Sequence, residues 1–265
     1  MIDLGMYYPG DKEHLAQAMA IIEILDSYER PLTVPQGSPV DDLASVFQNP
    51  PLDLRVTVIR SLDTVLDSLG QIRRYLTGET VTTPILLGVV MRSALLASSR
   101  VIFMLDPSGV ECRRRNSLAV LRQESDSLQK FYKHAQKLKG ASGLIPPKAI
   151  LDDQLTRIEA VRSATEYVSE SLMLDRMVDV IVKVLRASKY ADMLPKEEGM
   201  GILKEQVLLA FHSYSGITHG YSWPLLVPRT DSNLPYTFVG DVFMIAALGQ
   251  IALELFASLR QDSAG

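Results

Sequence analysis

The stretch Pro84–Leu105, PILLGVVMRSALLASSRVIFML, decides the fold, because its length and apolarity suit either a bilayer span or the centre of a helical core. Arg92 falls near its middle and Arg100 in its second half, with Ser93, Ser98 and Ser99 beside them. A central arginine costs about 2.5–3.5 kcal/mol even on the lenient insertion scale. The composition therefore predicts a buried helix inside a protein core, with no membrane span. Thr83–Pro84 supplies an N-cap and a proline at the first helical position. Asp106-Pro107-Ser108-Gly109 is the turn that ends it.

Helical spacing extends to both sides of this segment, and no run reads as a strand. Upstream, Asp11 begins a first helix that Arg30–Pro31 stops. Residues 31–51 carry five prolines and form a connector with one helical turn at Asp41–Phe47. Ile59, Leu62, Leu66, Leu69, Ile72 and Leu76 mark a second helix over 52–77, closed by Gly78. Downstream, a long polar helix reaches about Leu138, and further helices are predicted over 148–170, 173–190, 198–218 and 236–259. The expected fold is all-α: an antiparallel helical bundle of about seven or eight helices over 52–265, with residues 1–51 as an N-terminal helix and Pro-rich connector.

A net charge of −4 over 265 residues argues against a general DNA-coating role, while leaving room for a local basic patch. The single cysteine, Cys112, excludes an intramolecular disulfide and a cysteine-rich zinc site. The N-terminus has neither a basic nor an apolar leader region, so a cytoplasmic location is the expectation. No glycine-rich phosphate loop, dinucleotide fingerprint or paired metal-ligand motif occurs, and no cofactor or metal is expected.

Chemistry-bearing residues concentrate in Phe211–Trp223, FHSYSGITHGYSW, which holds two of the four histidines and the only tryptophan. His212 and His219 are two turns apart, about 10 Å along the axis, too far to share one metal ion. Ser215 and His219 are at i, i+4 and within reach of each other. A serine nucleophile, however, usually sits on a strained turn and not inside a helix. His219 precedes Gly220 in the last helical turn, where the helix dipole favours protonated imidazole. It reads as either a proton donor and anion contact or a C-terminal cap.

Two arginine sets accompany this stretch. On a helical wheel Arg100 lies about 80° from Arg92, and Ser99 about 20° from it on the other side. Two arginines in an apolar arc need water, a carboxylate or a ligand phosphate. Asp63, Asp67, Asp179 and Asp241 are the candidate structural partners. Arg113, Arg114 and Arg115 open the next helix, where they oppose its macrodipole and favour an anionic partner.

Tyr214-Ser215-Gly216-Ile217-Thr218-His219-Gly220 resembles a Y-S-x-x-[ST]-H-G signature near the C-terminus of bacterial all-helical proteins. In those, an arginine-bearing apolar helix like the Arg92 segment and an R-x-R stretch like Arg113–Arg115 precede it. They in turn resemble HEPN-type bundles, a superfamily rich in RNA-cleaving toxins and defence proteins. The resemblance implies a phosphate-acting site on RNA or a nucleotide and a homodimer. It implies His219, Arg92, Arg115 and Ser215 as catalytic residues, with His212, Tyr214, Arg100, Arg113, Arg114 and Trp223 as phosphate or ligand contacts. One departure matters: active HEPN proteins place an arginine several residues before the histidine on one helix. Here His212, Ser213 and Tyr214 stand in those places. An arginine would have to come from another helix, within the chain or across a dimer. The residues themselves leave a second reading open, a non-enzymatic interaction protein whose buried Arg/His/Ser network locks its helices. A small-molecule pocket beneath Tyr214, Tyr221 and Trp223 is a third.

Overall fold

Thr83 caps the decisive helix as expected, its hydroxyl accepting the Leu86 N–H at 3.2 Å, and α4 runs Pro84–Met104. In the computed structural model, which describes residues 11–45, 52–81, 83–138, 140, 143, 145–194, 201–221 and 238–261, this helix lies among five others. They are α3 (Leu54–Leu76), α5 (Val110–Ala135), α7 (Glu170–Ala187), α8 (Gly201–Thr218) and α9 (Phe238–Leu259). Its first turn is open, with Ile85 and Leu86 more than half exposed, whereas Met91, Leu95 and Val101 to Leu105 are buried. Together with α1 (Asp11–Asp26), α2 (Pro39–Ser45) and α6 (Lys148–Ser163) these make nine α-helices among the described residues, which contain no strand. The chain is all-α.

Two helices have the length and hydropathy to cross a membrane, Ile85–Met104 and Phe238–Leu259, and 56% and 72% of their apolar windows are buried against other helices. The second is the more deeply set. In α9 every residue from Asp241 to Leu253 is buried, which requires covering on all sides by α1, α3, α4 and others. Gly249 allows the approach to α3: a Cβ there would lie 2.8 Å from Leu69 Cδ1 and 3.0 Å from Val65 Cγ1.

The N-terminal segment belongs to the same core. Ala18, Ile21, Ile22 and Leu25 of α1 join the hydrophobic cluster of α9 and α3, while Leu15 and Met19 are half-buried. The helical turn expected in the connector is α2. Its Ser38 hydroxyl accepts the Asp41 N–H at 3.3 Å, and Asp41 in return accepts the Gly37 N–H at 2.9 Å, a reciprocal N-terminal arrangement. Arg55 Nε donates to Asp41 at 2.6 Å and fastens α2 to α3.

The Gly37 amide first, and then Arg55, hold the Asp41 carboxyl below its ordinary value of 3.8. A carboxyl whose folded value is lowered contributes stability above the unfolded value and loses it as pH falls through the folded one. Asp41 should therefore support α2 at full strength above pH ~4 and release it under more acidic conditions. Asp41→Asn should flatten that part of the stability–pH curve in urea titrations run from pH 6 downward. An unchanged acid limb would show that another carboxyl carries it.

One boundary differs from the expectation. The spacing predicts a helix over 148–170, but α6 ends at Ser163 and α7 starts at Glu170. The Ser169 hydroxyl accepts the Leu172 N–H at 3.3 Å and makes Ser169 the N-cap of α7, whose first residue, Glu170, is three residues before the predicted start. Thr165 meanwhile turns its hydroxyl back to the Val161 carbonyl, and Arg122 of α5 donates to the Arg162 and Thr165 carbonyls. The freed C-terminal carbonyls of α6 are thus satisfied by a guanidinium from α5.

Candidate functional site

Arg92, Leu96 and Arg100 stand at i, i+4 and i+8 on α4 and make one stripe, which forms part of a groove of about 770 Å³ between α4, α5, α7 and α8. The register of its walls follows from two contacts. The Asn116 amide donates to the Phe103 carbonyl at 3.0 Å and to Asp106 at 3.2 Å, fixing the tight α4–α5 turn. Further along, Arg100 Nη2 meets Glu124 Oε1 at 2.5 Å. Because α4 and α5 run antiparallel, each turn back along α4 matches a turn forward along α5. Leu96 then faces Leu128, and Arg92 lies level with Phe131, about 12 Å from Arg100 along the axis. All five line the groove.

α8 supplies the opposite wall of the Arg92 end. Gly88 sits against Ile217, where a Cβ would lie 2.8 Å from Ile217 Cγ2, so α8 approaches α4 closely there. One turn along, His212 and Ser215, three residues apart on one face of α8, open into the groove near Arg92. Glu170 and Ser171, the first residues of α7, line it as well.

The two arginines differ. Arg100 is 21% exposed and Glu124 25%, and the Thr57 hydroxyl of α3 donates to the other Glu124 oxygen at 3.0 Å. That chain ties α3, α4 and α5 together. Its partner is therefore Glu124, and none of the four aspartates considered from the sequence. Asp67 pairs with Arg30, Asp179 with Lys204, and Asp241 accepts from the Tyr214 hydroxyl at 2.6 Å. Arg92 is half-buried and has no hydrogen-bond or ion-pair partner among the described residues.

The other expected site residues fall elsewhere. His219 is exposed and does not line the groove. It is the C-cap of α8: the Gly220 N–H reaches the Ile217 carbonyl at 3.0 Å and the Tyr221 N–H the Gly216 carbonyl at 2.9 Å, with Gly220 at φ 74°. This is a Schellman closure. The His219 ring leans on Tyr221, 5.9 Å between centroids, and makes no hydrogen bond to Ser215. Tyr214 is buried and points to Asp241, away from solvent. Trp223 lies outside the described residues.

Arg114 and Arg115 line a separate groove of about 320 Å³ with Arg176, Glu111 and Glu166. Arg115 and Glu124 are nine residues apart, which turns them to opposite sides of α5 and separates them by about 13.5 Å of rise. Arg113 donates to the Asp106 carbonyl at 3.4 Å. Within one chain, then, Arg92 is brought together with Arg100, His212 and Ser215, and neither His219 nor Arg113–Arg115 joins them.

Glu124, Phe131 and the α7 residues are the site members that the sequence did not single out. Glu124 had a signal, a carboxylate interrupting a basic helix, but its partner is 24 residues away across a turn. Among the described residues no group of three or more His, Cys, Asp or Glu side chains is arranged to hold a metal ion. Comparison with known protein families, curated proteins and solved structures finds no match.

Proposed function

We propose that the groove between α4, α5, α7 and α8 binds the phosphate of an RNA or nucleotide, with Arg92 as the charge contact. The observation that supports this is Arg92 itself: a half-buried arginine, without a hydrogen-bond or ion-pair partner among the described residues, lining an open groove. An unpaired charge partly removed from water is costly, and the planar fork of arginine suits a phosphate oxygen pair. Arg55, Arg100 and Arg162 each meet a carboxylate; Arg176 and Arg186, like Arg92, are half-buried without one among the described residues, and of these three Arg92 alone lines this groove. His212 and Ser215 flank the same end, and His212 is the residue placed for proton transfer to or from a bound hydroxyl. In this reading His212 takes the role that the signature suggested for His219.

The test is binding of a labelled single-stranded RNA by fluorescence anisotropy, with product analysis on gels. Arg92→Ala should weaken binding at least ~10-fold, since a charge-assisted contact contributes about 1.5–3 kcal/mol. His212→Ala should leave binding within a few-fold and remove any cleavage. Equal binding by wild type and Arg92→Ala, or no binding by either, overturns the reading.

The second reading is a non-enzymatic interaction protein, and the Thr57–Glu124–Arg100 chain favours it, because those groups satisfy one another and link three helices. It predicts that Arg92→Ala alters stability or partner capture and leaves RNA untouched.

A further inference from the structure

A phosphate contact at Arg92 accounts for one end of the groove and leaves the rest of its length unexplained. Between the Arg92 and Arg100 levels the walls are apolar, formed by Leu96, Leu128, Met173, Met177 and Phe211. At the far end polar groups return: Gln123 and the outer edge of the Arg100–Glu124 pair. The groove is therefore polar, apolar and polar again over about 12 Å. Phe131, which lines the same groove, is 49% exposed and offers an apolar ring there. The first residues of α7, Glu170 and Ser171, also line the groove, where the helix dipole adds to the attraction for an anion and the exposed Glu170 side chain opposes it.

Resting on the reading of Arg92 as a phosphate contact, we infer that the groove takes a single nucleotide, free or at an unpaired RNA end, and not a duplex. The phosphate sits on Arg92, the sugar near Phe131 and His212, and the base between the methionine and leucine walls. The edge of the base meets Gln123 and Glu124. An alkyl phosphate would want the apolar section to continue, and here it is closed by an ion pair. A phosphate ion alone would leave the apolar section wet. A duplex, about 20 Å across, presents its bases inward and cannot enter a 770 Å³ groove.

The experiment is calorimetric titration of the full chain with AMP, adenosine, inorganic phosphate and decyl phosphate, alongside single-stranded and duplex RNA of one sequence. AMP should bind at least ~10-fold tighter than adenosine or phosphate, and should compete with single-stranded RNA. Ser127→Trp, at an exposed position on the groove's rim, should block AMP without unfolding the protein, as circular dichroism would show. If RNA binding depends on Arg92 yet AMP fails to compete, or duplex binds as well as single strand, the single-nucleotide inference is wrong and the phosphate reading survives. If decyl phosphate outcompetes AMP, the occupant is an amphiphile and the inference is also wrong. If Arg92→Ala changes nothing for any probe, both fall.

Discussion

Phe256→Ala is expected to lower the unfolding free energy by about 4 kcal/mol, in the range for deleting a buried aromatic ring. Phe256 is 1% exposed and lies in the same cluster as the α1, α3 and α4 side chains. The Arg260 guanidinium sits 5.9 Å from its ring centre, so the substitution removes a cation–π contact as well as packing. Collapse around the gap is limited because α9 is held on several sides, by α1, α3 and α4. The measurement is urea unfolding in aqueous buffer, and its result bears on more than packing. Phe238–Leu259 passes the length and hydropathy test for a membrane span. A ring facing lipid would add little to stability in water, because lipid tails and side chains are equally apolar. A large loss in water supports a core helix. A chain that needs detergent, with Phe256→Ala neutral in it, would support a span instead.

The same helix shows what could be read from the residues. Its apolarity, like that of α4, signals a buried helix because no polar face is left to meet water. The caps at Thr83 and the stops at Gly78 and Gly220 are local chemistry and were equally legible. Where the reading slipped, a tertiary contact decided. Arg122 reaches across from α5 to end α6, and Ser169 then caps α7, so a single continuous periodicity over 148–170 is cut. For the site, the wheel placed Arg92 and Arg100 correctly in an apolar arc. It offered no means to choose Glu124 over four aspartates, since the choice depends on the α4–α5 register set by Asn116. The His219 motif also has a structural reading. A histidine before a glycine at a helix end satisfies a Schellman closure as readily as it serves a reaction.

Glu124→Ala should cost about 3 kcal/mol, because removing one member of a largely buried pair leaves the other charge unmatched. The side chains of Arg100 and Glu124 are 21% and 25% exposed, which places the loss at the lower end of the usual 3–5 kcal/mol range. Arg100 Nε is already buried without an acceptor, so the guanidinium has no alternative partner to turn to. Thr57 would lose its acceptor too, adding about 1 kcal/mol that relaxation and water entry partly recover. Replacing both partners, as Arg100→Met with Glu124→Leu, should bring stability back to within about 1 kcal/mol of the original, since apolar pairs of similar volume avoid the desolvation cost. A thermodynamic cycle of the two single variants and the double variant measures this coupling. The double variant also separates the roles of the two ends of the groove. With Arg92 intact it should keep its phosphate contact and lose recognition at the far end, so that inorganic phosphate binds as before and AMP loses its advantage. If instead the double variant folds and binds every ligand as wild type does, Arg100 and Glu124 serve the scaffold alone.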